Sequence, residues 1–216
     1  DVLPDLLDPI DYRVDGLVTN TPGLALTIYY ADCIPVLLYD PVGKAIAAVH
    51  SGWRGTSLGI APKAVAKMTA LYGTRPEDVL AAIGPGIGPC CFETHDDVPT
   101  ALEDRLGPAV RPFCHPLEQA AGKFTVDLKG IIAWELRQAG LAEEHIDTLP
   151  LCTACHPELY WSHRKMGDQR GNHAAMIALE ANGRGGEGSR SYVVVSCQFS
   201  LSKESRSPCT SDSFPN

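Results

Sequence analysis

Nowhere in the 216 residues do apolar side chains run together for the roughly 18 positions that a membrane-crossing helix needs. No basic-then-apolar segment, the pattern of an export signal, stands at the start. A basic excess is lacking as well: 18 Lys and Arg face 26 Asp and Glu, for a net charge of −8. Nucleic-acid phosphates need a basic surface, so nucleic acid is excluded as a partner. The same charge means that a phosphate-bearing substrate must be held by a local cationic pocket rather than by the general field. No period of roughly 20–50 residues repeats, which removes solenoids and propellers. What remains is an ordinary globular composition, 44% hydrophobic and 20% charged, long enough for one good core.

Eight cysteines are present, several inside apolar runs. Without an export pattern they read as reduced thiols of a cytoplasmic protein rather than as a disulfide framework. The chain opens on Asp1, not Met, and residues 1–15 read as an acidic, Pro-bearing edge or linker. An N-terminal piece is therefore expected to be missing. Residues 1–180 are expected to form a single catalytic domain, whereas Gly and Ser dominate from Ala181 onward. Residues 181–216 read as a poorly ordered tail of doubtful native origin.

The chain is organised around two apolar runs, Val36-Leu37-Leu38-Tyr39 and Ala45-Ile46-Ala47-Ala48-Val49, separated by Asp40-Pro41-Val42-Gly43. Asp, Pro and Gly at the first, second and fourth positions suit a type I turn, so the segment reads as a β-hairpin. Its strands are apolar at successive positions and are expected to be covered on both faces. A turn centred between Pro41 and Val42 sets Cys33 directly opposite His50, about 4.5–5.5 Å apart at Cβ. A G1 bulge at Gly43 would instead turn them to opposite faces. A thiol and an imidazole that converge can share a metal or a proton.

Further strands are expected over residues 16–19, 24–30, 79–83 and 146–149, and the segments 159–164 and 173–179 complete the sheet material. A helix capped by Thr56 or Ser57 would turn Leu58, Ala61, Val65, Met68 and Leu71 inward. Another covers much of 95–106, and a third, capped by Asp127 and ending at Gly140, buries Ile131, Ile132 and Leu136.

The chemical candidates begin with Cys33 and His50, beside Asp32, an anion able to orient an imidazole or a substrate group. Arg54 follows as an anion holder in an acidic protein. Residues 84–89 lack the lysine and the spacing of a phosphate loop and read as a rigid wall of a pocket. Cys90 and Cys91, adjacent there, could be ligands, but adjacent side chains generally point apart, which favours a structural role. Cys152-Thr153-Ala154-Cys155-His156 has the C-x-x-C-H spacing of haem attachment or half a zinc knuckle, but Pro157 and the α/β pattern favour a pocket-lining turn. His163 and His173 read as core or rim imidazoles.

The successive motifs Asp15-Gly16, Asn20-Thr21-Pro22-Gly23, Ala31-Asp32-Cys33-Ile34-Pro35, His50-Ser51-Gly52-Trp53-Arg54-Gly55, Ile83-Gly84-Pro85-Gly86-Ile87-Gly88-Pro89, Cys152-Thr153 and Tyr160-Trp161-Ser162-His163-Arg164 resemble those of one family. It is the family long labelled polyphenol oxidase (laccase) and now regarded as purine nucleoside phosphorylases, including the peptidoglycan-editing factor and FAMIN-type proteins. The resemblance implies an α/β (α+β) fold of mixed β-sheets with flanking helices, related to that of Cys-His hydrolases. It also implies a zinc ion held by Cys33, His50 and an upstream histidine, and purine nucleosides and phosphate as substrates. Expected activities are phosphorolysis of adenosine, inosine and guanosine, with adenosine deaminase and methylthioadenosine phosphorylase activity beside it. Thiolate plus imidazole also suits copper, although seven scattered histidines are few for a multicopper oxidase. A metal-free hydrolase, with Cys33 as nucleophile and His50 as its base, is the remaining alternative.

Overall fold

A computed structural model describes residues 14–180 and 196–199. The hairpin forms as β3 (Ile34–Asp40) and β4 (Ala45–Ser51), the centre of a five-stranded sheet. β1 (Gly16–Thr19) and β5 (Leu80–Ile83) flank it antiparallel, and β9 (Ile146–Thr148) adds on parallel to β5.

Its register differs from the expected one. Pro35 pairs with His50 and Asp40 with Ala45, so four residues, not two, make the loop. The Asp40 carboxylate accepts from the Val42 and Gly43 N–H groups at 2.9 and 2.8 Å, and Lys44 turns left-handed at φ 53° to rejoin the strand. A Cβ on Gly43 would meet Asp40 Oδ2 at 2.5 Å, which is why glycine stands there. Neither the expected direct opposition nor the bulged alternative holds. The shift is by an even number of residues, so Cys33 and His50 keep the same face.

Both faces of the hairpin are covered, as its continuous apolar runs required. Ile34, Val36 and Leu38 with Ala45, Ala47 and Val49 enter one buried cluster. The helices on that side are α2 (Ile60–Tyr72) and α4 (Leu128–Gln138). Leu37, Ile46 and Ala48 face a second cluster, against β2 (Ala25–Tyr30) and β10 (His173–Ala178). β2 and β10 pair antiparallel, and β11 (Ser196–Phe199) joins β10's other edge. A third sheet combines β6 (Glu93–His95), β8 (Lys123–Val126) and β7 (Cys114–Pro116), next to α3 (Asp97–Leu106). The fold is α+β: mixed sheets with helices stacked on one side. Among the described residues no helix is long and apolar enough to cross a membrane. Residues 1–13 and most of the expected tail lie outside the described residues.

Two helical expectations need correction. The helix after the hairpin starts earlier, as α1 (Trp53–Ser57), and breaks at Gly59, whose φ of 67° no continuing helix adopts. Ala61, Val65 and Met68 of α2 are buried as expected, but Leu58 and Leu71 are about half exposed because the break rotates the helical face. The segment 159–164 is not a strand: the Ser162 hydroxyl accepts from Lys165 N and caps the short helix α5 (His163–Met166). By contrast, Asp127 caps α4 through the Gly130 N–H, and Ile131, Ile132 and Leu136 are fully buried.

Glu135 on α4 is 4% exposed, and its Oε2 has no partner among the described residues. Burial pushes its carboxyl up to about 8, with Lys63 opposing. A carboxyl raised above its unfolded value of ~4.3 contributes stability that is fully present below that pH and lost as pH rises toward 8. The loss runs at about 1.4 kcal/mol per pH unit. Glu135→Gln mimics the protonated state at every pH. Urea denaturation should find wild type and variant similar at pH 4 and the variant more stable by up to about 5 kcal/mol at pH 8; parallel stability curves would contradict this assignment.

Candidate active site

The left-handed turn at Asp32 (φ 75°) leads into β3 and brings Cys33 to the sheet end. The register carries Cys33 opposite Gly52, where a Cβ would stand 3.0 Å from Cys33 Sγ. Glycine there leaves room for the thiol. His50 lies one pleat along on the same face, a diagonal neighbour at ~7–8 Å that side chains of these lengths can close. His50 Nδ1 is 3.1 Å from Asp15 Oδ1, and its backbone N–H donates to the Asp15 carbonyl at 2.8 Å. A carboxylate on Nδ1 fixes the ring's tautomer and leaves Nε2 free for a metal. Asp15 thus has an orienting role that its position in the sequence did not reveal.

Cys33 is half-buried. Its thiol is pushed up first by burial and then by the Asp32 and Asp15 charges, with Arg170 opposing. That is the reverse of what an unassisted cysteine nucleophile needs. The donor set fits zinc in part: a soft thiol and an oriented imidazole on one face, with no third ligand drawn to them among the described residues.

Asp32 is 8% exposed and is already fully engaged. Its Oδ1 accepts from Thr153 Oγ1 at 2.6 Å, and its Oδ2 from Ser162 Oγ at 3.0 Å and Arg164 N at 2.7 Å. Its own carbonyl accepts from Ile87 N at 2.8 Å. The residue ties three remote loops together beneath the pocket.

A cavity of about 240 Å³ opens beside Cys33. Trp53, Ile87, Phe92 and Leu128 make its apolar walls, and His163, Arg164 and Arg170 its polar side. Asp32 and Cys33 line it; His50 and Arg54 do not. Arg54 is exposed and lies over the Trp53 ring, 4.3 Å from the centroid. The cationic groups in the cavity are instead Arg164, whose guanidinium also donates to the Cys91 and Glu93 carbonyls at 3.0 Å each, and Arg170. Arg170 Nε donates to His163 Nδ1 at 3.1 Å, so a neutral His163 carries its proton on Nε2. His173 is a core residue, 1% exposed, with Nε2 accepting from Trp161 N at 2.8 Å.

Residues 84–89 wall the pocket through Ile87, as expected. The cysteines beyond them do not point apart. Cys90, Cys91, Cys152 and Cys155 bring their sulfurs within 4.8 Å of one another, an arrangement that can hold a metal ion. Cys91 N and Phe92 N both donate to the Gly88 carbonyl, and in such a helical turn successive side chains diverge by ~100° rather than 180°. The C-x-x-C spacing and the adjacent Cys90-Cys91 pair are the sequence signs of this cluster, but the two halves lie more than sixty residues apart.

An α+β frame that presents a thiol and two arginines around one strand-end pocket, with an oriented imidazole beside the thiol on the same sheet face, has the make-up of a small-molecule site. Residues 6–180 match the family described as multi-copper polyphenol oxidoreductase laccase, and the chain belongs to it. It is 37% identical over 169 residues to mouse purine nucleoside phosphorylase LACC1, covering 76% of this chain and 38% of the relative. It is also 37% identical over 173 residues to purine nucleoside phosphorylase YlmD of Geobacillus stearothermophilus, covering 77% and 59%. The crystal structure of Bacillus licheniformis hypothetical protein YfiH superposes with a TM-score of 0.73 at 34% identity, over 76% of this chain and 61% of that one. The chain therefore spans less than two thirds of these relatives.

Proposed function

We propose that the protein to which this chain belongs is a zinc-dependent purine nucleoside phosphorylase. The observation that carries the reading is the cavity's division into an apolar wall for a base and an arginine pair for phosphate. Its 240 Å³ is a little below the ~300–1,000 Å³ of drug-sized pockets, a size for one nucleoside rather than a dinucleotide. The relatives named purine nucleoside phosphorylase support the same substrate class.

The reaction uses two substrates in one pocket. A phosphate oxygen forms a bond to ribose C1′ while the C1′–N9 bond breaks and its electron pair leaves with the purine. Arg164 and Arg170 hold the phosphate and offset its charge. His163, with its proton on Nε2, donates a hydrogen bond that stabilises the departing purine anion, which takes its proton from water. Phe92 and Trp53 pack on the base and exclude water that would otherwise hydrolyse the same bond. Asp32 acts as a positioning residue, because its oxygens already serve the protein. Cys33 and His50 would hold zinc, with the third ligand supplied from outside the described residues. When bound, zinc supplies a Lewis acid at the pocket. Adenosine, inosine, guanosine and methylthioadenosine share the purine face that the apolar wall reads. Deamination of adenosine at C6 is the accompanying activity in this reading.

The test is inosine with and without inorganic phosphate, using the full-length protein. Phosphate-dependent release of hypoxanthine and ribose 1-phosphate is expected. Oxygen consumption with a phenol and stoichiometric copper, and no hypoxanthine, would replace this reading by that of an oxidase.

A further inference from the structure

We propose that Cys90, Cys91, Cys152 and Cys155 form a second, closed zinc site of structural type, which clamps two loops together behind the pocket. The argument is independent of the activity above. Four thiolates at ~2.3 Å from a tetrahedral ion stand about 3.8 Å apart. Here all four sulfurs lie within 4.8 Å of one another, with Cys155 3.4 Å from both Cys90 and Cys91. Neither of those equal contacts is a bond, and a disulfide made from one would leave the other sulfur and Cys152 crowded beside it. A single ion satisfies all four.

The surroundings are built for thiolates. Gly88 N–H donates to Cys152 Sγ at 3.2 Å. Backbone donors at the first cysteine of a C-x-x-C turn are what orient such ligands and tune their charge. A Cβ on Gly88 would meet Cys152 Cβ at 3.2 Å and Cys90 Sγ at 3.4 Å, so the loop approaches this closely only as glycine. Four thiolates around Zn²⁺ carry a net charge of −2, and a cation is in place to offset part of it. The Lys129 ammonium is 5% exposed and donates to the Leu149 and Leu151 carbonyls at 2.9 and 2.6 Å, in the segment that leads into Cys152. All-sulfur ligation selects a thiophilic ion, and four protein ligands leave no open position, so the site is structural rather than catalytic.

The location explains what the ion would do. Gly86 bridges to Cys152, and Thr153 N donates to the Gly86 carbonyl. One clamped loop carries Ile87 and the Cys91 carbonyl that receives Arg164; the other carries Thr153, which donates to Asp32. An ion joining the loops fixes the wall on which Arg164 and Asp32 depend.

The experiment counts zinc per chain in purified full-length protein and in three variants: Cys33→Ala, Cys155→Ser and the double variant. Cys155 is exposed, so its replacement removes a ligand with little packing loss. One equivalent retained in Cys33→Ala and absent from the double variant is expected. Thiol titration of native protein should find the four cysteines protected until a chelator is added. Cobalt reconstitution of Cys33→Ala should give the intense thiolate-to-metal absorption of four-sulfur coordination. Zinc absent from Cys33→Ala, unchanged in Cys155→Ser, or four cysteines freely titrating in the wild type would each overturn the proposal. The last measurement stands even if Cys155→Ser does not fold. All three readouts are blind to nucleoside turnover, so failure of the phosphorylase reading leaves them intact.

Discussion

Cys33→Ala is expected to lower kcat/KM for phosphorolysis of inosine by at least ~10³-fold, about 4 kcal/mol of transition-state stabilisation, while the protein remains folded. Among the described residues Cys33 is the only thiol lining the cavity, and His50 shares its face with Nδ1 already held by Asp15. Without the sulfur, His50 alone cannot retain the ion, because among the described residues its one carboxylate neighbour, Asp15, is held on Nδ1, away from Nε2. The fold should tolerate the change: the thiol is half-buried at the edge of the second apolar cluster, and its loss costs about 1 kcal/mol. Steady-state kinetics and a thermal melt on the same preparation check both halves. A variant that keeps its rate would move the chemistry onto Arg164, Arg170 and His163 alone. A variant that fails to fold would make Cys33 structural.

The metal-free hydrolase reading predicts the same loss of rate but a different chemistry at Cys33. It needs a thiolate, and burial beside Asp32 and Asp15 drives that thiol the other way. The Asp15-oriented imidazole of His50 suits either reading, so the thiol decides between them. Insensitivity of the wild type to iodoacetamide when metal-loaded, and loss of activity on chelation, would separate the two.

What was legible in the sequence was local. The hairpin, the Asp127 cap of α4 and the both-faces burial of β3 and β4 each arise from a few neighbouring residues, and each forms. The hairpin register was off by two positions because Asp40 captures two N–H groups and lengthens the loop, a choice made by side-chain geometry rather than by residue type. The break at Gly59 was hidden because one glycine inside an apolar periodicity is normally tolerated. Cys33 and His50 stand out in the sequence because the motif carries its own chemistry, and the hairpin that puts them on one face forms. The site was illegible where partners are distant: Asp15 meets His50 only through the β1–β4 pairing, and Asp32 reaches Thr153 and Ser162 more than a hundred residues away. Arg54, adjacent to the glycine motif, looked the natural anion holder, yet Trp53 takes its guanidinium and the cavity draws its arginines from the last helix region.

Asp32 is where this distance matters most, and its removal should have the largest effect on stability at the site. Three donors converge on one buried carboxylate: two hydroxyls and the Arg164 N–H, at 2.6 to 3.0 Å. Hydrogen bonds to a charged group are worth about 1.5–3 kcal/mol each, and buried donors left unpaired cost a further amount. Asp32→Ala also places alanine at φ 75°, which a short polar side chain tolerates better. A loss of about 4–6 kcal/mol is expected, comparable with the whole net stability of ~5–15 kcal/mol typical of a domain. Asp32→Asn separates charge from geometry. Its amide oxygen can still accept from Ser162 and Arg164, and its NH₂ can donate to a rotated Thr153 hydroxyl. It should cost only about 1–2 kcal/mol. Because Arg164 is seated by this carboxylate, Asp32→Asn should raise KM for phosphate several-fold with a smaller change in kcat. Urea denaturation and phosphate-dependence kinetics measure the two effects. Equal stability of Asp32→Ala and wild type would mean that the three loops hold together without Asp32, and an unchanged KM in Asp32→Asn would mean that Arg164 does not depend on it.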